Sequence, residues 1–148
     1  MIERFTGKHR YLSNFWYAPV QTLDGIWVPT NEHAYQYEKS LDPEYRKYIS
    51  LVCETPAEAK QCGRQVVTLR PDWDELKDAI MEDLIRQKFT IHYNLRTLLI
   101  NTGDEYLQEG NWHGDAIWGV DLKTGAGQNK LGHLLMKIRK EFQDKLQP

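Results

Sequence analysis

The chain has 148 residues, 41% hydrophobic and 27% charged, with a formal net charge of −2. About 150 residues make one domain of average size and bury roughly 70% of the surface that the unfolded chain exposes, so a single domain over 1–148 needs no staple. The near-neutral charge excludes a dedicated nucleic-acid binder, which would carry a basic stripe, but leaves nucleic acid open as a substrate held by a few local charges.

Cys53 and Cys62 are the only cysteines and make neither a disulfide framework nor a metal motif. Met1–Tyr11 has no apolar leader pattern, and no run of about 18 apolar residues follows. A soluble, cytoplasmic protein without a membrane partner is expected. The 5 Trp and 8 Tyr suit either a rich core or a pocket for a flat ligand.

In chain order, Tyr17–Val20 and Ile26–Val28 read as short strands around Leu23-Asp24-Gly25, a hairpin signal. Thr30 or Asn31 can cap a helix over Glu32–Ser40. Asp42-Pro43 opens a helix over Glu44–Leu51. Thr55-Pro56-Ala57-Glu58 is a capping box for a helix that Gly63 stops. Asp72-Trp73-Asp74-Glu75 opens a long helix to about Phe89, with Trp73, Leu76, Ile80 and Leu84 on its apolar face. A helix over His92–Ile100 follows, then strands at Tyr106–Gln108 and Ala116–Trp118. The last helix, Asn129–Lys145, carries Leu131, Leu134, Leu135, Ile138 and Phe142 on one stripe. Small strands with segregated helices predict an α+β fold, mostly helical with a small β-sheet.

Three stretches could carry chemistry. On the first predicted helix, Glu32, Tyr35, Gln36 and Lys39 share a sector of roughly 100°. That face offers an acid, a phenol, an amide and an amine, able to supply acid–base or nucleophilic chemistry. A solvated polar face placed to suit the helix dipole would look the same, but only Ala34 and Tyr37 lie opposite, a thin stripe for a surface helix. Second, Asp115–Gly119 feeds the glycine-rich Gly125–Gly132 run. There Gly119, Gly127 and Asn129 could bring free N–H groups to a phosphate, and Trp118 could stack on a ring; a plain turn is the alternative. Third, Ser13 and Asn14 sit inside the aromatic run Tyr11–Trp16, as loop caps or as polar contacts for a ligand. Arg64 and Arg70 near Trp73 suit a phosphate or a ring, though lone arginines are mostly surface. The five histidines form no metal-binding pattern, so no metal and no cofactor is expected.

Taken together, these stretches resemble the NADAR family, also called YbiA-like proteins. The likeness is carried by Leu12–Phe15, by Trp27–His33 running on to Gln36 and Lys39, and by Ala59 with Gly63-Arg64. It continues through Asp72-Trp73, Lys88-Phe89, Leu107 with Glu109, Asp115 with Trp118-Gly119, and Gly125, Gly127, Asn129 and Leu131-Gly132. The resemblance implies an N-glycosidase acting on a ribose-containing nucleotide. The substrate would be either ADP-ribose linked to guanine or a phosphorylated riboflavin-pathway intermediate. It places the family's functional glutamate on Glu32 and its lysine on Lys39, and its pocket tryptophans and acid on Trp73, Trp118 and Asp115. Glu32, Lys39 and Asp115 are therefore the catalytic candidates. Ser13, Asn14, Tyr35, Gln36, Arg64, Trp73, Trp118, Gly119, Gly127 and Asn129 are the substrate-binding ones. Where the family has Trp-Gly-Asp-Gly, this chain has Trp118-Gly119-Val120-Asp121, and Gly110–Gly114 reads as an insertion. A non-catalytic reader of ADP-ribose or nucleotides is the alternative function, and a packing module a third.

Overall fold

The computed structural model describes residues 1–146; Gln147 and Pro148, the end of the expected 1–148 domain, lie outside the described residues. The fold is α+β and mostly helical, with two small two-stranded sheets where one was expected. It contains two compact units, one of Asn14–Ile91 and one of Met1–Ser13 with the segment from His92 onward.

In the Asn14–Ile91 unit, β1 (Val20–Gln21) pairs antiparallel with β2 (Trp27–Val28) across the predicted Asp24-Gly25 turn. Helix α1 (Asn31–Glu38) starts where Thr30 Oγ1 accepts the His33 amide, as the capping signal required. Asp42 caps the short α2 (Pro43–Lys47). The expected helix to Leu51 instead loosens into a π-turn over Tyr48–Val52, which leaves Leu51 and Val52 exposed and seats only Ile49 in the core. Helix α3 (Pro56–Arg64) has the Thr55 cap and ends one residue beyond Gly63. Helix α4 (Trp73–Ile91) buries Trp73, Ile80 and Leu84 as expected, together with Met81, Ile85, Lys88 and Phe89. Asp72 does not behave as a free capping carboxylate. Arg70 grips both its oxygens, at 2.7 and 3.3 Å.

One buried group gives this unit a pH signature. His33 is fully buried. Its Nε2 donates to the Cys53 carbonyl (2.9 Å), and its Nδ1 lies 2.8 Å from Thr30 Oγ1. Burial pushes the imidazole below its usual 6.5, against the pull of the Cys53 carbonyl and Glu58. The unfolded chain therefore binds more protons in the window just below 6.5, and stability falls as pH drops through it. Each unit of depression is worth about 1.4 kcal/mol. Burial pushes Glu38 up, against the pull of Leu23 N–H and Arg46, which acts with the opposite sign on acidification. Thermal melts at about pH 7.5 and 5.5 should show His33→Phe losing less on acidification than the parent. Equal losses would remove His33 as the sensor.

In the other unit, the N-terminal segment lies along the middle of the chain. Ile2 bridges Leu107, and the Glu3 carbonyl accepts the Gly110 amide (3.1 Å). The strand expected at Tyr106–Gln108 is reduced to that single bridge. The strand expected at Ala116–Trp118 does not form; β3 (Gly110–Asn111) pairs in parallel with β4 (Val120–Asp121) instead. Asp115 accounts for the difference, because its Oδ1 accepts the Ile117 and Trp118 amides (3.0 Å each) and folds the segment into a turn. Helix α5 (Tyr93–Asn101) follows His92, and α6 (Lys130–Lys145) buries Leu131, Leu135, Ile138 and Phe142. No helix among the described residues is long and apolar enough to cross a membrane.

Candidate functional site

The polar face of α1 is not solvated: all eight residues of the helix are buried. Glu32 is 7% exposed and Gln36 3%. A chain buries such groups only where they find partners or serve a ligand. Gln36 Nε2 donates to Glu32 Oε1 at 2.7 Å, one turn along the helix. The other end of that amide, Oε1, is buried without a hydrogen-bond partner among the described residues. The Tyr45 hydroxyl donates to the Gln36 carbonyl (2.7 Å), and burial pushes that phenol far up its range.

Lys39 sits at the C-terminal cap of α1, with its ammonium 5.8 Å from the centre of the Tyr35 ring. Tyr35 in turn packs on Trp73, the ring centres 5.0 Å apart. Burial pushes Lys39 below its usual range, opposed by Glu32 and aided by Lys60, Arg64 and Lys77. The Lys39 side chain makes no ion pair or hydrogen bond among the described residues, so its amine is available for chemistry. Three further cations close enough to act on it make the surroundings electropositive. Arg64 itself is exposed.

Asn14 stands at the start of α1. Its carbonyl accepts the Glu32 amide (3.1 Å), its Oδ1 accepts from Asn31 (3.4 Å), and its Nδ2 reaches Met81 Sδ (3.4 Å). Its local work is to anchor the helix that carries Glu32. A cleft of about 350 Å³ also lies in this unit, lined by Asp24, Tyr37 and Arg46 among others, but Glu32, Gln36 and Lys39 do not line it.

The remaining candidates belong to the other unit. Ser13 closes a 3-10 turn, its amide donating to the Arg10 carbonyl. Asn129 adopts a left-handed backbone (φ 51°) and latches the loop before β3. Its Oδ1 accepts the Glu109 amide (3.0 Å), while Nδ2 donates to the Leu107 carbonyl (2.9 Å) and the Tyr106 hydroxyl (3.2 Å). Most amides of the expected phosphate cradle at the start of α6 are already engaged. The amides of Gln128, Asn129, Lys130 and Leu131 donate to the carbonyls of Ala116, Gly119, Ile117 and Trp118, and those of Gly125 and Ala126 to Asp121 and Thr124. Gly119 and Gly127 are backbone spacers, since a Cβ on Gly127 would lie 2.3 Å from the Gly119 carbonyl oxygen and one on Gly119 2.2 Å from that of Glu109. Trp118 is half-buried, with Lys130 Nζ 5.7 Å from its ring. Asn129→Ala should cost about 3 kcal/mol by combining two orphaned backbone groups with left-handed strain. Asn129→Gly should cost about 1 kcal/mol less, because glycine accepts that φ freely; urea melts distinguish the two. Equal costs would refute the strain component.

Sequence reasoning missed Gly63, Lys60, Lys77 and Tyr45. Gly63 carried a signal, a glycine inside an otherwise well-capped helix, which was assigned to the helix end. The others have no local signature, since they reach α1 only through tertiary packing.

A buried acid held by an amide, an amine of lowered basicity and a tilted aromatic pair bring together groups able to transfer a proton or to act as a nucleophile. Residues 3–143 match the NADAR domain, and the chain belongs to that family. It is 40% identical over 131 residues to the N-glycosidase YbiA of Escherichia coli K12, covering 88% of this chain and 79% of that one. It is 35% identical over 137 residues to a riboflavin biosynthesis protein of Vibrio vulnificus, covering 92% of this chain but 36% of that larger protein. The NMR structure of E. coli YbiA superposes with a TM-score of 0.83 at 35% identity, over all of this chain and 90% of the other. These relatives place the chain among N-glycosidase hydrolases.

Proposed function

We propose that the chain hydrolyses the C1′–N bond of a ribose-containing nucleotide. The substrate is either ADP-ribose joined to guanine, free or in nucleic acid, or a phosphorylated riboflavin-pathway intermediate. The buried Glu32–Gln36 pair beside Lys39 is the observation that carries this reading. Breaking the bond builds positive charge on the sugar and negative charge on the departing base. Glu32 stabilises the cationic sugar and moves protons; Lys39 serves as the nucleophile. As Glu32 gives a proton to O4′, the C1′–O4′ bond breaks and the ribose opens to a C1′=N iminium; the neutral Lys39 amine adds to C1′, passes a proton to the base nitrogen, and the C1′–N bond to the base breaks to leave a Schiff base. Water then hydrolyses the Schiff base and regenerates the amine. Trp73 and Tyr35 offer a ring surface for the base or sugar, and Lys60, Arg64 and Lys77 a cationic border for phosphate. Asp115 and Trp118 enter this reading by family position alone. The net charge of −2 favours a small nucleotide over long nucleic acid, whose binding rests on many Lys and Arg contacts.

The test is release of free base or free ADP-ribose from the two substrate classes, with a Glu32→Gln control. Saturable binding without release would favour the ADP-ribose or nucleotide reader, which needs neither Glu32 nor Lys39 as a reactive pair.

A further inference from the structure

We infer that Gly63 is a positioning residue for Glu32, acting through Gln36; this rests on the role proposed above for Glu32. Gly63 lies in the last turn of helix α3, and its φ is not among the positive ones, so the left-handed cap that favours glycine does not explain it. The reason is steric. A Cβ on Gly63 would fall 1.8 Å from Gln36 Oε1 and 2.6 Å from its Cδ, with Lys39 Nζ next at 3.3 Å. Gln36 can retreat only by giving up a bond. Its side chain is 3% exposed, and its Nε2 is committed to Glu32.

The arrangement also explains the unpartnered oxygen. An amide that gives its N–H to a carboxylate must aim its oxygen the other way, and here it meets the bare Cα of Gly63, which offers only a weak C–H contact. The glycine thus sets the amide's orientation, and the amide helps to set the carboxylate's. An alanine would push Gln36 off Glu32 and remove one of the contacts that orient the carboxylate, which degrades its alignment with the sugar more than it degrades substrate binding.

A double-mutant cycle of Gly63→Ala and Gln36→Ala, read in kcat, KM and thermal midpoint, tests this. Each single variant should lower kcat by about 10- to 100-fold with KM little changed. Adding Gly63→Ala to Gln36→Ala should cost less than about twofold more, because the two atoms under 3 Å are gone and only the flexible end of Lys39, at 3.3 Å, remains. If Gly63→Ala alone fails to fold, a double variant that folds and matches Gln36→Ala in kcat supports the inference by rescue. Multiplicative losses in the double variant, a loss confined to KM, or a Gly63→Ala protein with parental kcat would overturn it. An unmutated protein that releases neither base nor ADP-ribose from any of the glycosides refutes the functional reading and this inference together. An active one with multiplicative losses refutes the inference alone.

Discussion

Glu32→Gln should lower turnover by roughly a thousandfold and leave the fold intact. The two side chains have the same shape, and the substituted amide oxygen can accept from Gln36 Nε2 as the carboxylate does at 2.7 Å. The backbone bond from residue 32 to the Asn14 carbonyl is untouched. What disappears is the negative charge beside the sugar and the ability to move a proton. Both matter most in the transition state, so kcat should fall and KM should not. Circular dichroism and a thermal melt establish that the variant is folded. A folded Glu32→Gln protein with parental turnover would remove Glu32 from the chemistry.

Lys39→Met should be as damaging, and here the pH dependence and a chemical trap add information. The amine needs to be neutral to attack, and burial together with Lys60, Arg64 and Lys77 lowers its basicity against the opposing pull of Glu32. An ordinary lysine near 10.4 is well under 1% neutral at pH 8, and each unit of depression raises that fraction about tenfold. Turnover should therefore rise with pH until Lys39 has lost its proton. Borohydride added during turnover should leave a sugar adduct on the protein, absent from Lys39→Arg, which keeps the charge but cannot attack. An active Lys39→Arg with no adduct on the unmutated protein would reduce Lys39 to a charged contact for phosphate.

Much of the fold was legible locally. Thr30, Asp42 and Thr55 each cap the helix they announce, and Asp24-Gly25 turns the hairpin, because capping and turn chemistry act over three or four residues. The failures fall where a side chain answered to something distant or unexpected. Asp115 bonds the amides of a presumed strand and folds it into a turn. The amides at the start of α6, open by helix geometry, are taken by carbonyls of Ala116 to Gly119. The spacing of Glu32, Tyr35, Gln36 and Lys39 put four reactive or polar groups on one face, but a solvated face has the same spacing.

By itself, then, the sequence determined the fold class, most of the helix starts and the family, and it named Glu32 and Lys39 as candidates, since these depend on residue type and short-range spacing. Only the tertiary structure decided that Glu32 and Gln36 are buried, that Gln36 holds Glu32 while Lys39 lies near the Tyr35 ring, and that a glycine on α3 leaves room for Gln36 and Lys39. Those facts depend on which helix packs against α1 and at what distance. A one-dimensional pattern of residues cannot express a steric contact between positions 36 and 63.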